Sequence, residues 1–398
     1  MFSLSRPHLP QILLGLFLSA GIVGCTTTQA PPPSVHVDDS RSEDAETEFR
    51  KRLNSKPNDP EAHHGLGQIL AAQGNAIEAD LHFTKAVQID ASRRSRVNLD
   101  RERYASQFQS KAVEFAGEGS YESAGRALNQ ADTMLRGLPR TLYLRGRLAQ
   151  SQGDPLGARE YYEQALEKLP GNAEYTEAYV EVLLELGRER NQEQDFEGAR
   201  GLLEEAAELS SSPDVDYLLG TVLYSMAQAS SGEEQQAYLV EAAESFRAVL
   251  DKAPKDEDAR YNLGAVLLSS GQFEEAVGIY ESLILDNPRD GDLFLALSLA
   301  HGRTGQSEMA MAEDAIGRAL RENRPVDAPA TWARRATTRF ENSDLASTYR
   351  RLGSPEAIYT YSRLGGDLVE VWFYWDQRKV IAFQDGGRYG VPVDLPRD

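Results

Sequence analysis

Residues 258–288 read DARYNLGAVLLSSGQFEEAVGIYESLILDNP, and this pattern decides the fold. Small and apolar residues recur at the spacing of one helix face in each half of the stretch: Leu263, Gly264 and Leu267, then Ala276, Tyr280 and Leu283. Gly271 interrupts the first helix, and Pro288 ends the second. The stretch predicts two short amphipathic helices packed back to back, with Tyr280 filling the space above the small residues.

This unit resembles the tetratricopeptide repeat (TPR), a helix–turn–helix of about 34 residues. Seven stretches carry the pattern: 60–91, 105–136, 139–170, 180–213, 214–254, 258–288 and 291–322. A half-unit at 45–57 precedes them, and an arginine-rich stretch at 92–103 is expected to extend the first helix of the second repeat. Stacked hairpins bury a core that one hairpin cannot. The resemblance implies an all-α TPR superhelical solenoid of about seven repeats over residues 45–322.

In the TPR family, the second, fifth, ninth and twelfth positions of a repeat line an inner groove. Carried onto this sequence, that register gives the peptide-groove candidates Tyr143, Arg147, Arg188, Tyr217, Tyr224 and Tyr261. Tyrosine offers rigid aromatic area, and arginine binds carboxylates through two parallel hydrogen bonds. The resemblance therefore implies a groove that binds a peptide or a protein segment. In the alternative interpretation, these tyrosines simply pack along the inner helices.

The N-terminus carries a targeting pattern. Arg6 precedes an apolar run at 12–23 that is too short to span a bilayer comfortably, and the run leads to Cys25. Residues 22–25 (IVGC) resemble a bacterial lipobox, which implies that 1–24 are a cleaved signal peptide and that Cys25 carries covalent lipid, including palmitate. Thr26 favours the outer membrane by the sorting rule of lipoproteins. An ordinary secretory signal with a chance cysteine is the alternative.

Two segments flank the repeats. Residues 25–44 are rich in Thr, Pro, Ser and Asp, so we expect the acylated cysteine to be followed by a disordered tether. Residues 323–343 are expected to form a linker or capping helix. Residues 344–398 predict a small α+β module, a helix plus a three-stranded β-meander. Its segments LGSPE, EVWFYW and FQDGG weakly resemble the SmpA/OmlA-like module, and we expect it to dock on the last TPR helices.

Composition and motifs exclude several functions. The net charge of −20 argues against nucleic-acid binding and against direct adsorption to anionic lipid. Phosphate-loop, nucleophile-elbow and zinc-protease motifs are absent from the sequence, so we predict a protein that is not an enzyme and has no cofactor besides the lipid. His63, His64 and His82 lack a supporting ligand pattern, and we interpret them as surface and groove residues rather than a metal site.

Together these features predict a protein–protein interaction scaffold or assembly factor. It would be anchored by lipid to the bacterial outer membrane, face the periplasm of a Gram-negative-type envelope and bind envelope proteins or peptide segments. A cell-wall or glycan-associated lipoprotein, accessory to an envelope enzyme, is the alternative. In that case the C-terminal module would be the ligand end, and its aromatic side chains would have to be exposed.

Overall fold

The computed structural model describes residues 39–287, 289–322, 343–355, 357–362, 368–374 and 377–394. Cys25, the predicted signal peptide, most of the tether, the predicted linker and Trp375 lie outside these residues. The chain divides into two compact units, the first ending at Glu193 but including 201–210, and the second comprising the remainder. Each unit is described by itself.

The first unit is a series of helical hairpins preceded by one helix, α1, that is not part of a hairpin. Its helices are α1 (Asp39–Ser55), α2 (Pro60–Ala72), α3 (Ala76–Ile89), α4 (Arg94–Gly117), α5 (Tyr121–Met134), α6 (Pro139–Ser151), α7 (Pro155–Lys168), α8 (Ala173–Gln192) and most of α9 (Phe196–Leu209). The 24-residue helix α4 begins within the arginine-rich stretch, as predicted.

Two boundaries differ from the sequence analysis. Helix α1 begins at Asp39, inside the stretch expected to be a tether, because Phe49 and Leu53 pack against the first hairpin and stabilise the helix that carries them. Helix α8 begins at Ala173, although the fourth repeat was expected to start at 180. Asn172 caps this earlier start, since its side chain accepts a hydrogen bond from the backbone N–H of Tyr175.

The second unit contains three hairpins followed by the C-terminal module. Its helices are α10 (Pro213–Ala229), α11 (Gly232–Lys252), α12 (Glu257–Ser270), α13 (Phe273–Asp286), α14 (Gly291–Arg303) and α15 (Ser307–Arg321). The fifth repeat, at 214–254, is longer than the usual length of about 34 residues. Its additional residues lengthen α10 and α11 rather than forming a long loop. As predicted, the ring of Tyr280 fills the space above a small residue. A Cβ at Gly264 would come within 2.7 Å of this ring, so the close packing needs glycine there.

The C-terminal module consists of helix α16 (Asp344–Leu352) and the strands β1 (Ala357–Ser362), β2 (Leu368–Tyr374), β3 (Lys379–Gln384) and β4 (Gly387–Asp394). The strands form one antiparallel sheet in the order β1-β2-β3-β4. The expected three-stranded meander was therefore incomplete, because the short segment AIYTYS lacks the apolar alternation that marks β2.

Strand β2 of the sheet is buried on both faces. Trp372 and Tyr374 of β2 pack with Leu345 of α16. On the opposite face, the ring of Phe373 meets Phe294 of α14 edge-on at a centroid distance of 6.4 Å. The module thus docks on the last hairpin, as predicted. The fold class is also confirmed: TPR-type hairpins are followed by a small α+β module.

Candidate binding surface

The first helices of successive hairpins (α2, α4, α6, α8, α10, α12 and α14) carry the predicted groove positions, and we call them the A helices. In the first unit, the Tyr143 ring of α6 is buried and stacks on Tyr175 of α8 at 4.7 Å between centroids. Tyr162 of α7 lies 5.8 Å from it. Burial raises the pKa of the Tyr143 phenol, so the ring stays neutral at ordinary pH.

Arg147 lies one helical turn after Tyr143 on α6 and is exposed. Its Nη1 donates a hydrogen bond to the Tyr143 hydroxyl at 3.2 Å. Within the part of the chain that the structure describes, no carboxylate lies within ion-pair distance of Arg147. Arg145 of the same helix is different, because its guanidinium bonds Asp132 at 2.7 Å. Arg147 therefore keeps a fixed guanidinium whose charge is available to a ligand.

Arg188 occupies the equivalent position on α8 and is also exposed. It shares this helix with Glu185, whose pKa is raised by burial and then by the charge of Glu189. The bond from Gln150 and the positive charge of Arg188 act in the opposite direction. We call Tyr143, Arg147, Gln150, Glu185 and Arg188 the α6–α8 surface. It presents both signs of charge next to a stacked aromatic pair.

In the second unit, the tyrosines of α10 and α12 have partners within the protein. The Tyr217 hydroxyl accepts a hydrogen bond from Asn262 Nδ2 at 2.9 Å, and its ring meets Phe246 edge-on at 5.7 Å. Tyr224 is buried, and its hydroxyl lies 3.1 Å from Ser269 Oγ. The half-buried Tyr261 packs edge-on against Tyr280 at 5.8 Å. We call Tyr217, Tyr224, Tyr261, Asn262 and Ser269 the α10–α12 surface.

The same kind of contact joins other A helices. His64 Nε2 lies 2.6 Å from Asp100 Oδ2, which links α2 to α4, and Gln109 donates to Thr141 at 2.9 Å, which links α4 to α6. The sequence analysis missed these polar pairs, because the partners stand far apart in the chain. Its interpretation of His63 and His64 as surface and groove residues was wrong, since both are buried.

Among the described residues, no three or more His, Cys, Asp or Glu side chains converge as metal ligands. None of the helices described is long and apolar enough to span a bilayer.

Three family models for the tetratricopeptide repeat match this chain, at residues 60–93, 139–172 and 239–299. The first two matches coincide with the hairpins α2–α3 and α6–α7. The third runs from the end of α11 into α14. The chain therefore contains tetratricopeptide repeats at these three places, and they coincide with helices of the described hairpins.

A curated relative and several solved structures are similar to the chain. It is 25% identical to Cellulose synthase operon protein C of Pseudomonas fluorescens (strain SBW25) over 331 residues, which is 82% of this chain and 25% of that protein. The chain therefore spans about a quarter of that relative's length.

Among solved structures, MamA is 23% identical and covers 46% of this chain and 92% of its own, with a TM-score of 0.36. YrrB, described as a TPR protein with an unusual peptide-binding site, is 19% identical and covers 49% and 92%, with a TM-score of 0.38. Pseudomonas aeruginosa pilF is 15% identical and covers 63% and 98%, with a TM-score of 0.33.

Proposed function

We propose that this chain is a non-enzymatic scaffold that binds a segment of a partner protein through the α6–α8 surface. TPR arrays generally serve as interaction scaffolds, and the stacked hairpins here supply a rigid frame for such a surface. We further propose that the partner is an envelope protein, because residues 22–25 resemble a lipobox.

The observation that carries this proposal is the state of Arg147. On a protein of net charge −20, its guanidinium is held by a tyrosine hydroxyl and not by a carboxylate of the described residues. Several other exposed or half-exposed arginines of the hairpins are ion-paired, among them Arg126 with Glu122 at 2.6 Å and Arg247 with Glu275 at 2.9 Å. A preordered arginine beside aromatic rings suits a carboxylate on a bound segment.

Binding measurements with matched charge variants test the site. The soluble form beginning at Thr26 is used to capture partners from envelope extract, and the affinity for the captured protein is then measured by calorimetry. We expect Arg147→Ala to weaken binding at least tenfold, because removal of a charge-assisted bond costs about 1.5–3 kcal/mol. Arg126→Ala removes an exposed arginine from α5 and should leave affinity unchanged. Equal affinities for the two variants would refute the α6–α8 site.

The lipid anchor is part of the same proposal. Acylation of Cys25 would attach the protein to the outer membrane facing the periplasm, and several acyl chains give a stable attachment. Metabolic labelling with a palmitate analogue, followed by membrane fractionation, tests this. Cys25→Ala should lose the label and leave the membrane fraction, whereas a labelled Cys25→Ala protein would refute acylation at this residue.

A cell-wall or glycan-associated role is the second candidate. The similarity to a protein named Cellulose synthase operon protein C favours it. Its structural requirement was an open aromatic face on the C-terminal sheet, yet Trp372, Phe373 and Tyr374 are buried in the described strands. Sedimentation with purified cell wall and with cellulose distinguishes the candidates, since the scaffold proposal predicts that the protein stays in the supernatant with both.

A further inference from the structure

Two histidine rings meet inside the first hairpin. Nδ1 of His63 on α2 and Nδ1 of His82 on α3 lie 2.8 Å apart, and the ring centroids are 5.0 Å apart. The other ring nitrogen of His63, Nε2, lies 3.0 Å from the carbonyl oxygen of Pro57. His63 is 8% exposed, and the side chain of His82 is 17% exposed.

These distances assign the protons. A carbonyl oxygen can only accept, so His63 Nε2 carries a proton and donates it to Pro57. In the neutral ring, His63 Nδ1 is then an acceptor, and His82 Nδ1 must be the donor. The contact between α2 and α3 therefore requires that the two Nδ1 atoms carry only one proton between them.

Protonation of both rings is incompatible with this contact. A first added proton can settle on His82 Nε2, which faces Glu78 Oε1 at 4.0 Å, and the bond between the rings is kept. A second proton has to occupy His63 Nδ1, where it meets the N–H of His82 across 2.8 Å. Two donors at this distance and two like charges repel each other, so the contact opens.

The surrounding charges do not relieve this repulsion. Arg50 of α1, Lys85 of α3 and His63 of α2 are positive or become so, and Glu78 of α3 is the acidic group facing His82. Burial lowers the pKa of His82 and the charge of His63 lowers it further, whereas Glu78 raises it. Glu78 is also shared with Arg50, whose Nη2 lies 3.1 Å from Oε1.

We propose that the His63–His82 contact is a proton-sensitive latch that closes the first hairpin at neutral pH and opens it in mild acid. Opening would also loosen α1, because Arg50 of α1 bonds to Glu78 and the Phe49 ring of α1 covers Gly65 of α2. The helix nearest the N-terminal segment would thus be released first, while the later hairpins keep their packing.

Amide hydrogen exchange of the full-length protein tests the latch. Measurements from about pH 7.5 to about pH 5.5 bracket the ordinary histidine pKa, after correction for intrinsic exchange rates. We expect protection of α1, α2 and α3 to fall by up to about tenfold per pH unit for each additional proton that the open state binds. Protection of α12 and α13 in the same molecule should not fall comparably.

Two substitutions test whether the His63–His82 contact causes the acid response. His82→Gln keeps a neutral donor toward His63 and cannot be protonated, so the acid-induced loss in α1–α3 should largely disappear. His63→Gln removes the other ring of the contact and provides an independent check if the first variant folds poorly. The contact between His64 of α2 and Asp100 of α4 is present in both proteins, so the difference between wild type and variant reports the His63–His82 pair.

Glu46 of α1 does not add to the response in this window, because the hydrogen bonds from Gln73 and Arg50 lower its pKa and keep it ionised. An unchanged acid response in both variants, or an equal loss of protection in α12 and α13, would overturn the latch. These outcomes are independent of partner binding at the α6–α8 surface.

Discussion

The α6–α8 surface and the α10–α12 surface use tyrosines at equivalent repeat positions in different ways. In the first, the Tyr143 hydroxyl receives a bond from the exposed Arg147, and the ring stacks on the next A helix. In the second, the hydroxyl groups of Tyr217 and Tyr224 are engaged by Asn262 and Ser269 of the next A helix. Tyrosine therefore joins neighbouring repeats in both units, but its hydroxyl contacts an exposed arginine in the first unit and side chains of the next A helix in the second.

The largest effect is expected from removing the ring that fills each hairpin. Tyr280→Ala in the second unit and Tyr162→Ala in the first should each lower the free energy of unfolding by about 3–5 kcal/mol, in line with other large-to-small core substitutions. Both rings are at most 1% exposed. Denaturant unfolding with hydrogen exchange should show that each variant first exposes its own unit. A loss shared equally by both units would contradict the comparison.

An alkaline titration probes a contact that the first unit has and the α10–α12 surface lacks. The Tyr179 hydroxyl donates to Glu205, which also pairs with Arg159 at 2.8 Å. Burial and this carboxylate raise the pKa of Tyr179 to about 12. Because the folded pKa exceeds the unfolded value, the stabilisation is complete below about pH 10 and is lost as the pH rises toward 12.

Tyr179 is expected to contribute up to about 1.4 kcal/mol per pH unit to the slope, and Tyr179→Phe should lower the slope by that contribution. Denaturant midpoints at a series of alkaline pH values measure the effect. Absorbance at the phenolate band should lose one late-titrating group in the variant. An unchanged slope would show that other tyrosines of the unit carry the alkaline loss.

Two substitutions, one on each surface, separate the effect on stability from the effect on partner binding. Tyr217→Phe removes the hydrogen bond to Asn262 and should cost about 1 kcal/mol of stability, because one buried amide then loses its acceptor. We expect partner affinity to stay unchanged in this variant. Arg147→Ala should show the reverse, with little change in thermal stability and a clear loss of affinity. A Tyr217→Phe protein that no longer binds the partner would move the site to the second unit.

The smallest effect is expected at Gln194, in the turn between α8 and α9. Its φ of 65° places a side-chain-bearing residue in the left-handed region, where other hairpin turns have Gly153 or Gly271. Gln194→Gly should raise the free energy of unfolding by about 0.5–1 kcal/mol, since strain relief outweighs the added freedom of the unfolded chain. Thermal denaturation measures this, and a lowered midpoint would contradict it.

Much of the fold was predictable because it depends on local periodicity. Gly264 and Tyr280 stand one hairpin apart at a fixed spacing, and the ring meets the glycine as the pattern requires. Helix α16 likewise ends at Gly353, whose φ of 84° suits a helix stop. Strand β1 was not predicted, because its stability depends on pairing with β2 rather than on its own sequence.

The candidate site was only partly predictable for the same reason. The register of the repeat located Tyr143 and Arg147 on one helix, one turn apart. It did not predict which side chains would contact these two residues. Tyr175, which stacks on Tyr143, lies on another helix and at a position outside the expected groove set. The partners Asn262 and Ser269 of the second unit were missed likewise. Contacts between repeats depend on side-chain shape and burial, which a one-dimensional period does not encode.

The docking of Phe373 on Phe294 has a consequence for how copies of this protein meet one another. The last hairpin of an uncapped repeat array presents an apolar face that the next hairpin would normally cover, and a second molecule can occupy it and extend the stack into a filament. Here Phe373 of β2 covers part of that face. Its chain neighbours Trp372 and Tyr374 lie on the other face of the sheet, where they pack against α16. The sheet thus covers part of the face on which a further hairpin or a second molecule would otherwise stack.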